Sequence, residues 1–221
     1  MKAPLLSLFS VAVLVLLGET GPAYSQGASS TAARSDSGAA QQKHGPPVAD
    51  EYMKRVRNTS FRGPSGERVL RHEIVVDASL EDVWKALTTS EGLESFMAPV
   101  VHVELKTGGR FDSNYRAGSK PGDPDAIHNI VLCYVPLEMF AIKVNLTAQF
   151  PAEARDAGTL FAVLTLKDLG NHRVQVTESM GGWGEGKGWD DTYGFFDWGN
   201  AYTLGQLYRR LKEGPRQWNT K

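Results

Sequence analysis

Apolar and polar residues alternate along several short stretches of the chain, a pattern typical of half-buried β-strands. Val101, Val103 and Leu105, for example, alternate with polar neighbours. The pattern predicts strands over 69–76, 101–105, 110–115, 127–135, 139–149, 160–167 and 173–179. Because prolines and glycines leave only short connections between the later strands, we expect neighbouring strands to run antiparallel.

Two short helices and one long helix complete the predicted elements. Residues 80–88 carry apolar side chains on one helical face, and Ser79 is a suitable N-cap for them. A second short helix is expected over 91–97, and the longest helical pattern runs from about 189 to 212. A sheet that wraps around such a helix buries the apolar faces of both, which is an α+β architecture.

A glycine-rich loop leads from the last predicted strand into a helix that is rich in aromatic side chains. The loop, residues 181–188, carries Trp183, and the helix carries Trp189, Tyr193 and Phe196. Each such ring buries a large apolar area, so the rings either fill the core or line a cavity between sheet and helix. The loop is correspondingly either a flexible gate over that cavity or an ordinary connection.

Asn200 interrupts the apolar stripe of this long helix. Tyr193, Phe196, Leu204 and Leu207 recur at the three- and four-residue spacing that places them on one face with it. A buried amide needs hydrogen-bond partners, which are either protein groups or a ligand. The residues expected to border a ligand cavity are Phe96, Met97, Phe111, Trp183, Trp189, Tyr193, Phe196 and Asn200.

The order of several short motifs resembles the SRPBCC (START-like) superfamily. The motifs are Ile74 to Thr88, Glu91-Gly92-Leu93, Phe96-Met97, Gly108-Gly109-Arg110-Phe111, Trp189-Asp190 and Leu204 to Leu211. They are most similar to the branch of homologues of the heat-shock ATPase activator, and the resemblance covers residues 67–212. It implies a helix-grip fold, in which an antiparallel sheet of about six strands wraps around a long C-terminal helix, with two short helices after the first strand.

The resemblance also implies a function. Such domains bind small apolar molecules in a deep pocket under the C-terminal helix, and our first hypothesis is therefore a ligand-binding protein. The second is a cyclase-like or hydrolase-like enzyme, for which His72, His128 and Glu178 are the candidate acid or base groups. The third is a protein-interaction or co-chaperone-like module, which would expose a large apolar patch away from the pocket.

The N-terminal segment has the composition of a secretory signal. A basic start is followed by the apolar run 5–17 and by small residues at Ala23 and Ser25. We expect a signal peptide over 1–25, cleaved after Ser25, and a secreted or periplasmic protein without a stable membrane span after cleavage. The further organisation expected is a flexible, mostly disordered segment over 26–66, the domain over 67–214 and a tail over 215–221.

Charge and residue spacing exclude some classes of partner. The chain has 24 basic and 25 acidic residues, which argues against nucleic acid as the main partner. The five histidines fall in separate elements without the spacing of metal ligands, so neither a metal nor another cofactor is predicted. Cys133 is the only cysteine, so no internal disulfide forms, and its apolar strand predicts that it is buried.

Overall fold

A computed structural model describes residues 51–218, in which an antiparallel sheet wraps around one long helix. The strands are β1 (Arg57–Asn58), β2 (Phe61–Arg62), β3 (Arg68–Val76), β4 (Val100–Val103), β5 (Arg110–Asn114), β6 (Ile127–Val135), β7 (Met139–Lys143), β8 (Phe161–Asp168) and β9 (Val174–Gly181). The helices are a 3-10 helix (Met53–Arg55), α1 (Leu80–Thr88), α2 (Ser90–Glu94), α3 (Ala152–Ala157) and α4 (Lys187–Glu213). The spatial order of the strands is β1-β3-β9-β8-β7-β6-β5-β4, with β2 also paired to β3. The expected α+β helix-grip fold is confirmed, with more strands than the sequence predicted.

The helix boundaries follow the expected caps. Ser79 accepts a hydrogen bond from the backbone N–H of Asp82 at 3.1 Å, and α1 begins and ends as predicted. The prediction of a strand over 139–149 is wrong beyond Lys143, because the chain leaves the sheet there and α3 follows. Helix α2 ends at Glu94, and three residues of turn continue toward Pro99.

The N-terminal residues that the structure describes are packed on the domain. β1 and β2 pair antiparallel with β3 and so cover its otherwise free edge, which a sheet would leave with unpaired backbone groups. The ring of Tyr52 packs 5.9 Å from that of Tyr208 on α4. The expectation of a flexible segment over 26–66 is therefore wrong for 51–66, while residues 26–50 and the signal peptide lie outside the described residues.

The core lies between the inner face of the sheet and α4, closed on one side by α1 and α2. Val176 and Met180 of β9 alternate inward, and Phe196, Leu204 and Leu207 of α4 meet the sheet. This alternation places every second side chain of a strand under the helix. No helix within residues 51–218 is long and apolar enough to cross a membrane.

Cys133 is exposed, contrary to the expectation that it is buried. The pairing of β6 with β7 shifts between Val131 and Cys133, which is the signature of a β-bulge. Strict alternation from Val131 would have turned Cys133 inward, and the extra residue turns it outward instead. The periodicity of apolar residues does not reveal such an inserted residue.

Candidate functional site

A small cavity lies between the sheet, the two short helices and α4. Its volume is about 10 Å³, which is at the lower limit for one water molecule. The lining residues are Leu87, Leu93, Phe96, Met97, Phe111, Phe140, Leu164, Glu178, Thr203, Leu204 and Leu207. Glu178 is the only ionisable residue among them, so the cavity is an apolar space with one carboxyl in its wall.

The Glu178 carboxyl has no compensating partner in the part of the chain that the structure describes. Its residue is only 2% exposed, and no side-chain hydrogen bond or ion pair to it is found within 51–218. Burial raises the pKa of Glu178 to about 8, because an ion in an apolar surrounding loses its hydration. At neutral pH the group is therefore mostly a neutral carboxylic acid, able to donate a hydrogen bond.

His72 lies directly across from Glu178, on the neighbouring strand and on the same inner face. Its Nε2 is 3.0 Å from Oδ1 of Asp197 on α4, while Nδ1 is buried without a partner within the described residues. Burial lowers the pKa of His72, and the Asp197 carboxylate opposes this only in part. The acceptor at Asp197 favours the tautomer with its proton on Nε2, which leaves a lone pair on Nδ1.

Asp197 connects this buried histidine to solvent and to the N-terminal strand. Its side chain is 43% exposed, and Oδ1 also accepts a hydrogen bond of 2.7 Å from Nδ2 of Asn58. Asn58 pairs with His72 in the β1–β3 ladder. The two neighbouring strands therefore both contact the carboxylate of Asp197 on α4. No sequence pattern indicated Asp197, which lies on the partly exposed side of α4.

Tyr115 is a further group of the interior that the sequence did not indicate. Burial raises the pKa of its phenol well above the ordinary range, and the nearby Glu178 carboxyl adds to the effect. The phenol therefore stays protonated at any ordinary pH. Tyr115 directly follows β5, so a strand end brings it near Glu178 although the two are far apart in sequence.

The eight residues expected around a cavity separate into two groups. Phe96, Met97 and Phe111 line the small cavity. The other five do not line it, so this cavity does not extend across all eight residues. These five are Trp183, Trp189, Tyr193, Phe196 and Asn200.

The aromatic rings at the beginning of α4 pack against one another and against neighbouring segments. The ring centroid of Phe150, just before α3, lies 5.0 Å from that of Phe195 and 5.8 Å from that of Phe196. The rings of Trp183 and Tyr193 make an edge-to-face contact, with their centroids 4.9 Å apart. These rings therefore pack as core side chains in the present conformation.

Asn200 is fully buried and only half satisfied. Its Nδ2 lies 3.2 Å from the sulfur of Met180, a weak acceptor, and its Oδ1 has no hydrogen-bond partner within residues 51–218. Nδ1 of His72 is likewise a buried acceptor without a donor among the described residues. Buried acceptors of this kind are uncommon, and ligands or ordered water often satisfy them.

The glycine loop is fixed on the outside of the domain and does not border the cavity. Arg68 donates to the carbonyl of Gly184 at 2.6 Å and pairs with Asp190 at 2.5 Å. Trp183 donates from its indole nitrogen to the carbonyl of Met180 at 3.0 Å. The loop therefore has the contacts of a fixed connection in this conformation.

His128 cannot take part in chemistry at this cavity. Its side chain is 51% exposed on the outer face of β6, where Nδ1 lies 2.9 Å from Oδ1 of Asp112. The neighbouring Asn129 is the residue that alternation turns inward. His128 therefore lies outside this cavity, because a mid-strand position alone does not tell which face a side chain occupies, and its catalytic role stays a prediction.

Two further kinds of site are relevant to the domain: a metal site and an exposed apolar surface. Across residues 51–218, no group of three or more His, Cys, Asp or Glu side chains is placed to hold a metal ion. The outer face of the sheet exposes Ile130 and Leu132 of β6 and Phe161 of β8. These residues form a modest apolar surface, and the interaction hypothesis stays a prediction.

Known proteins share this fold. Residues 77–212 match the family described as "Activator of Hsp90 ATPase homolog 1-like protein". The Aha1 dimer from Colwellia psychrerythraea is 18% identical, with a TM-score of 0.52 over 66% of this chain and 97% of that one. MLL2253 from Mesorhizobium loti is 22% identical, with a TM-score of 0.50 over 65% and 98% of the two chains.

CalU16 from Micromonospora echinospora is 15% identical, with a TM-score of 0.51 over 73% of this chain and 86% of that one. No curated protein matches the sequence. At these identities the similar structures establish the fold alone, so the function has to follow from the residues of the site itself.

Proposed function

The chain belongs to the family of activator of Hsp90 ATPase homolog 1-like proteins, and we propose that it binds a small, mostly apolar molecule between the sheet and α4. The ligand carries a neutral hydrogen-bonding group, such as a hydroxyl or carbonyl, that meets the carboxylic acid of Glu178. The apolar lining of the cavity accepts the rest of the molecule.

The unpaired Glu178 carboxyl carries this proposal. A carboxyl buried without partners destabilises a fold, because its desolvation is not offset by a hydrogen bond. A leucine of similar volume would pack in the same apolar surrounding without that cost. A binding role gives a physical reason for an acid at this position, since a neutral carboxyl both donates and accepts hydrogen bonds.

Binding requires a larger cavity than the present one. About 10 Å³ holds no organic molecule, so the walls have to move. The movable wall is the segment between α2 and β4, where Phe96 and Met97 lie in turns outside regular secondary structure. Displacing those two side chains joins the cavity to the surface without breaking a strand.

The experiment is a titration of the protein with octanol, which has an apolar chain and one hydroxyl, followed by amide chemical shifts in NMR. We expect shifts at the cavity residues and about tenfold weaker binding to the Glu178→Leu variant, because the hydroxyl loses its buried partner. Glu138→Gln, at a carboxyl outside the cavity, is the matched control. Equal affinity of wild type and Glu178→Leu would contradict the proposal.

A second candidate function is acid–base catalysis at the same place. The observation that favours it is that burial brings the pKa of Glu178 to about 8, near the pH at which a group both takes up and releases protons efficiently. His72 opposes Glu178 across the two strands and reaches solvent through Asp197. If the protein is an enzyme, it turns over a bound molecule. The Glu178→Gln variant should then still bind that molecule but no longer convert it.

A further inference from the structure

A surface groove adjoins the cavity at the C-terminal end of α4. Its volume is about 300 Å³, much larger than the cavity itself. The groove is lined by Ser95, Phe96, Gln206, Arg209, Arg210, Glu213, Gly214, Pro215, Arg216 and Gln217. Phe96 is the one residue that lines both spaces, so its side chain separates the groove from the cavity.

The C-terminal residues hold the segment that carries Phe96. Arg210 donates from Nε to Oγ of Ser95 at 2.8 Å, and the backbone N–H of Arg216 donates to the carbonyl of Ser95 at 2.8 Å. Trp218 donates from its indole nitrogen to the carbonyl of Glu94 at 2.5 Å. These bonds come from side chains and from an irregular segment, so a ligand that replaces them can release Phe96.

The groove has positive charge that the described residues do not neutralise. Arg209 pairs with Glu213 at 3.0 Å. Arg210 and Arg216 have no carboxylate within ion-pair distance in residues 51–218. Arg216 instead donates to the hydroxyl of Tyr202 at 3.3 Å and stacks 4.3 Å from the ring centre of Trp218.

The other carboxylates near Arg210 belong to a separate depression that this arginine also borders. They are Asp77, Asp82, Glu91 and Glu94. None of them pairs with Arg210 among the residues that the structure describes. An anion in the groove therefore meets Arg210 and Arg216 without displacing an ion pair. Guanidinium groups bind carboxylates and phosphates through charge-assisted hydrogen bonds.

We propose that the groove binds the anionic group of an amphipathic ligand, whose apolar part passes Phe96 into the cavity under α4. The inference rests on the proposed function and adds a ligand class to it: an apolar molecule that has a carboxylate, sulfate or phosphate at its outer end in addition to the neutral group that meets Glu178. Along α4, Thr203 at the cavity and Arg210 at the groove are about 10 Å apart, the length scale of a short alkyl chain.

The test compares octanoate, octanol and octylamine, which share a chain and differ in the charge of the head group. We expect octanoate to bind most tightly and octylamine least. Arg216→Gln weakens octanoate about tenfold and leaves octanol unchanged, because only the carboxylate uses the guanidinium. Arg155→Gln, on α3 and away from the groove, is the matched control.

Phe96→Ala provides a second, independent measurement. Removing the ring joins groove and cavity, so octanoate should associate faster, and thermal unfolding shows whether the variant is folded. If octanol binds as tightly as octanoate and Arg216→Gln changes neither, the groove is not the anion site, although the cavity proposal stands. If none of the three compounds shifts the cavity residues, both proposals are wrong.

Discussion

His72 and Glu178 face each other across strands β3 and β9, on the side of the sheet that α4 covers. Residues directly opposite on antiparallel strands have Cβ atoms about 5 Å apart, so the two side chains share one small volume. Burial acts on them in opposite directions: it raises the pKa of Glu178 and lowers the pKa of His72. Both groups are therefore neutral at pH 7, and the interior avoids two buried charges.

The first prediction concerns the pH dependence of stability at Glu178. The unfolded carboxyl releases its proton near its ordinary pKa of 4.5, and the folded one near 8. Between these values the unfolded state binds fewer protons, so the free energy of unfolding falls as pH rises through this window. For each pH unit between the two pKa values, the free energy of unfolding falls by about 1.4 kcal/mol. Glu178→Gln removes this pH dependence, because an amide does not titrate.

The measurement is urea unfolding of wild type and Glu178→Gln at several pH values between about 5 and 8. As the pH rises across this range, the free energy of unfolding of wild type should fall by a few kcal/mol relative to that of Glu178→Gln. Comparing the two proteins cancels the titration of all other groups. A difference that does not change with pH would mean that the carboxyl has an ordinary pKa.

The second prediction concerns the tautomer and titration of His72. Because Asp197 accepts the proton of Nε2, nitrogen-detected NMR should find that nitrogen protonated and Nδ1 bare. The imidazole should titrate below the ordinary histidine range, since burial disfavours its charged form. Asp197→Asn should lower the pKa further, because it removes the one carboxylate that favours the cation. A proton on Nδ1 would contradict this arrangement.

The sequence predicted the elements of the helix-grip fold well, because each depends on a local pattern. The capping serine before α1 and the alternation along β9 need no knowledge of distant residues. The pairing of β1 and β2 with β3 was missed, since strands of two residues have no periodicity. What fixes them is the free edge of β3 and the contact of Tyr52 with Tyr208.

The site was predictable only in part, for a related reason. Glu178 and His72 were candidates as ionisable residues of predicted strands, whereas the hydrogen bond of His72 to Asp197 depends on how α4 crosses the sheet. The pocket expected across eight residues is not one continuous space around this cavity, and the packing of Phe150 on Phe195 and Phe196 comes from an irregular segment that no periodicity indicates. Periodicity predicts which side chains of a regular strand turn inward, but it does not determine how much space remains between them.

The third prediction tests the packing of the N-terminal segment on α4. A Cβ at Gly205 would lie 3.0 Å from the backbone nitrogen of Met53, so a larger residue pushes the 3-10 helix away. Gly205→Leu should destabilise the domain by about 1–3 kcal/mol and expose the segment to protease. Gly194→Leu, in the same helix, is the matched control. Apart from its chain neighbours and the backbone of its own helix, no described atom lies within 4 Å of the added Cβ, and the change should stabilise by up to about 1 kcal/mol.

The fourth prediction concerns the N-terminus, where the sequence has the pattern of a secretory signal. We expect the chain expressed in a bacterial host to be exported and cleaved after Ser25, so that intact-mass measurement of the exported protein finds Gln26 first. Replacing Leu14 and Leu16 by charged residues breaks the apolar run and should retain the full-length chain inside the cell. The same replacement at Ala32 and Ala33, beyond the run, is the control and should leave export unchanged. An exported product that keeps Met1 would mean that the segment is an uncleaved anchor.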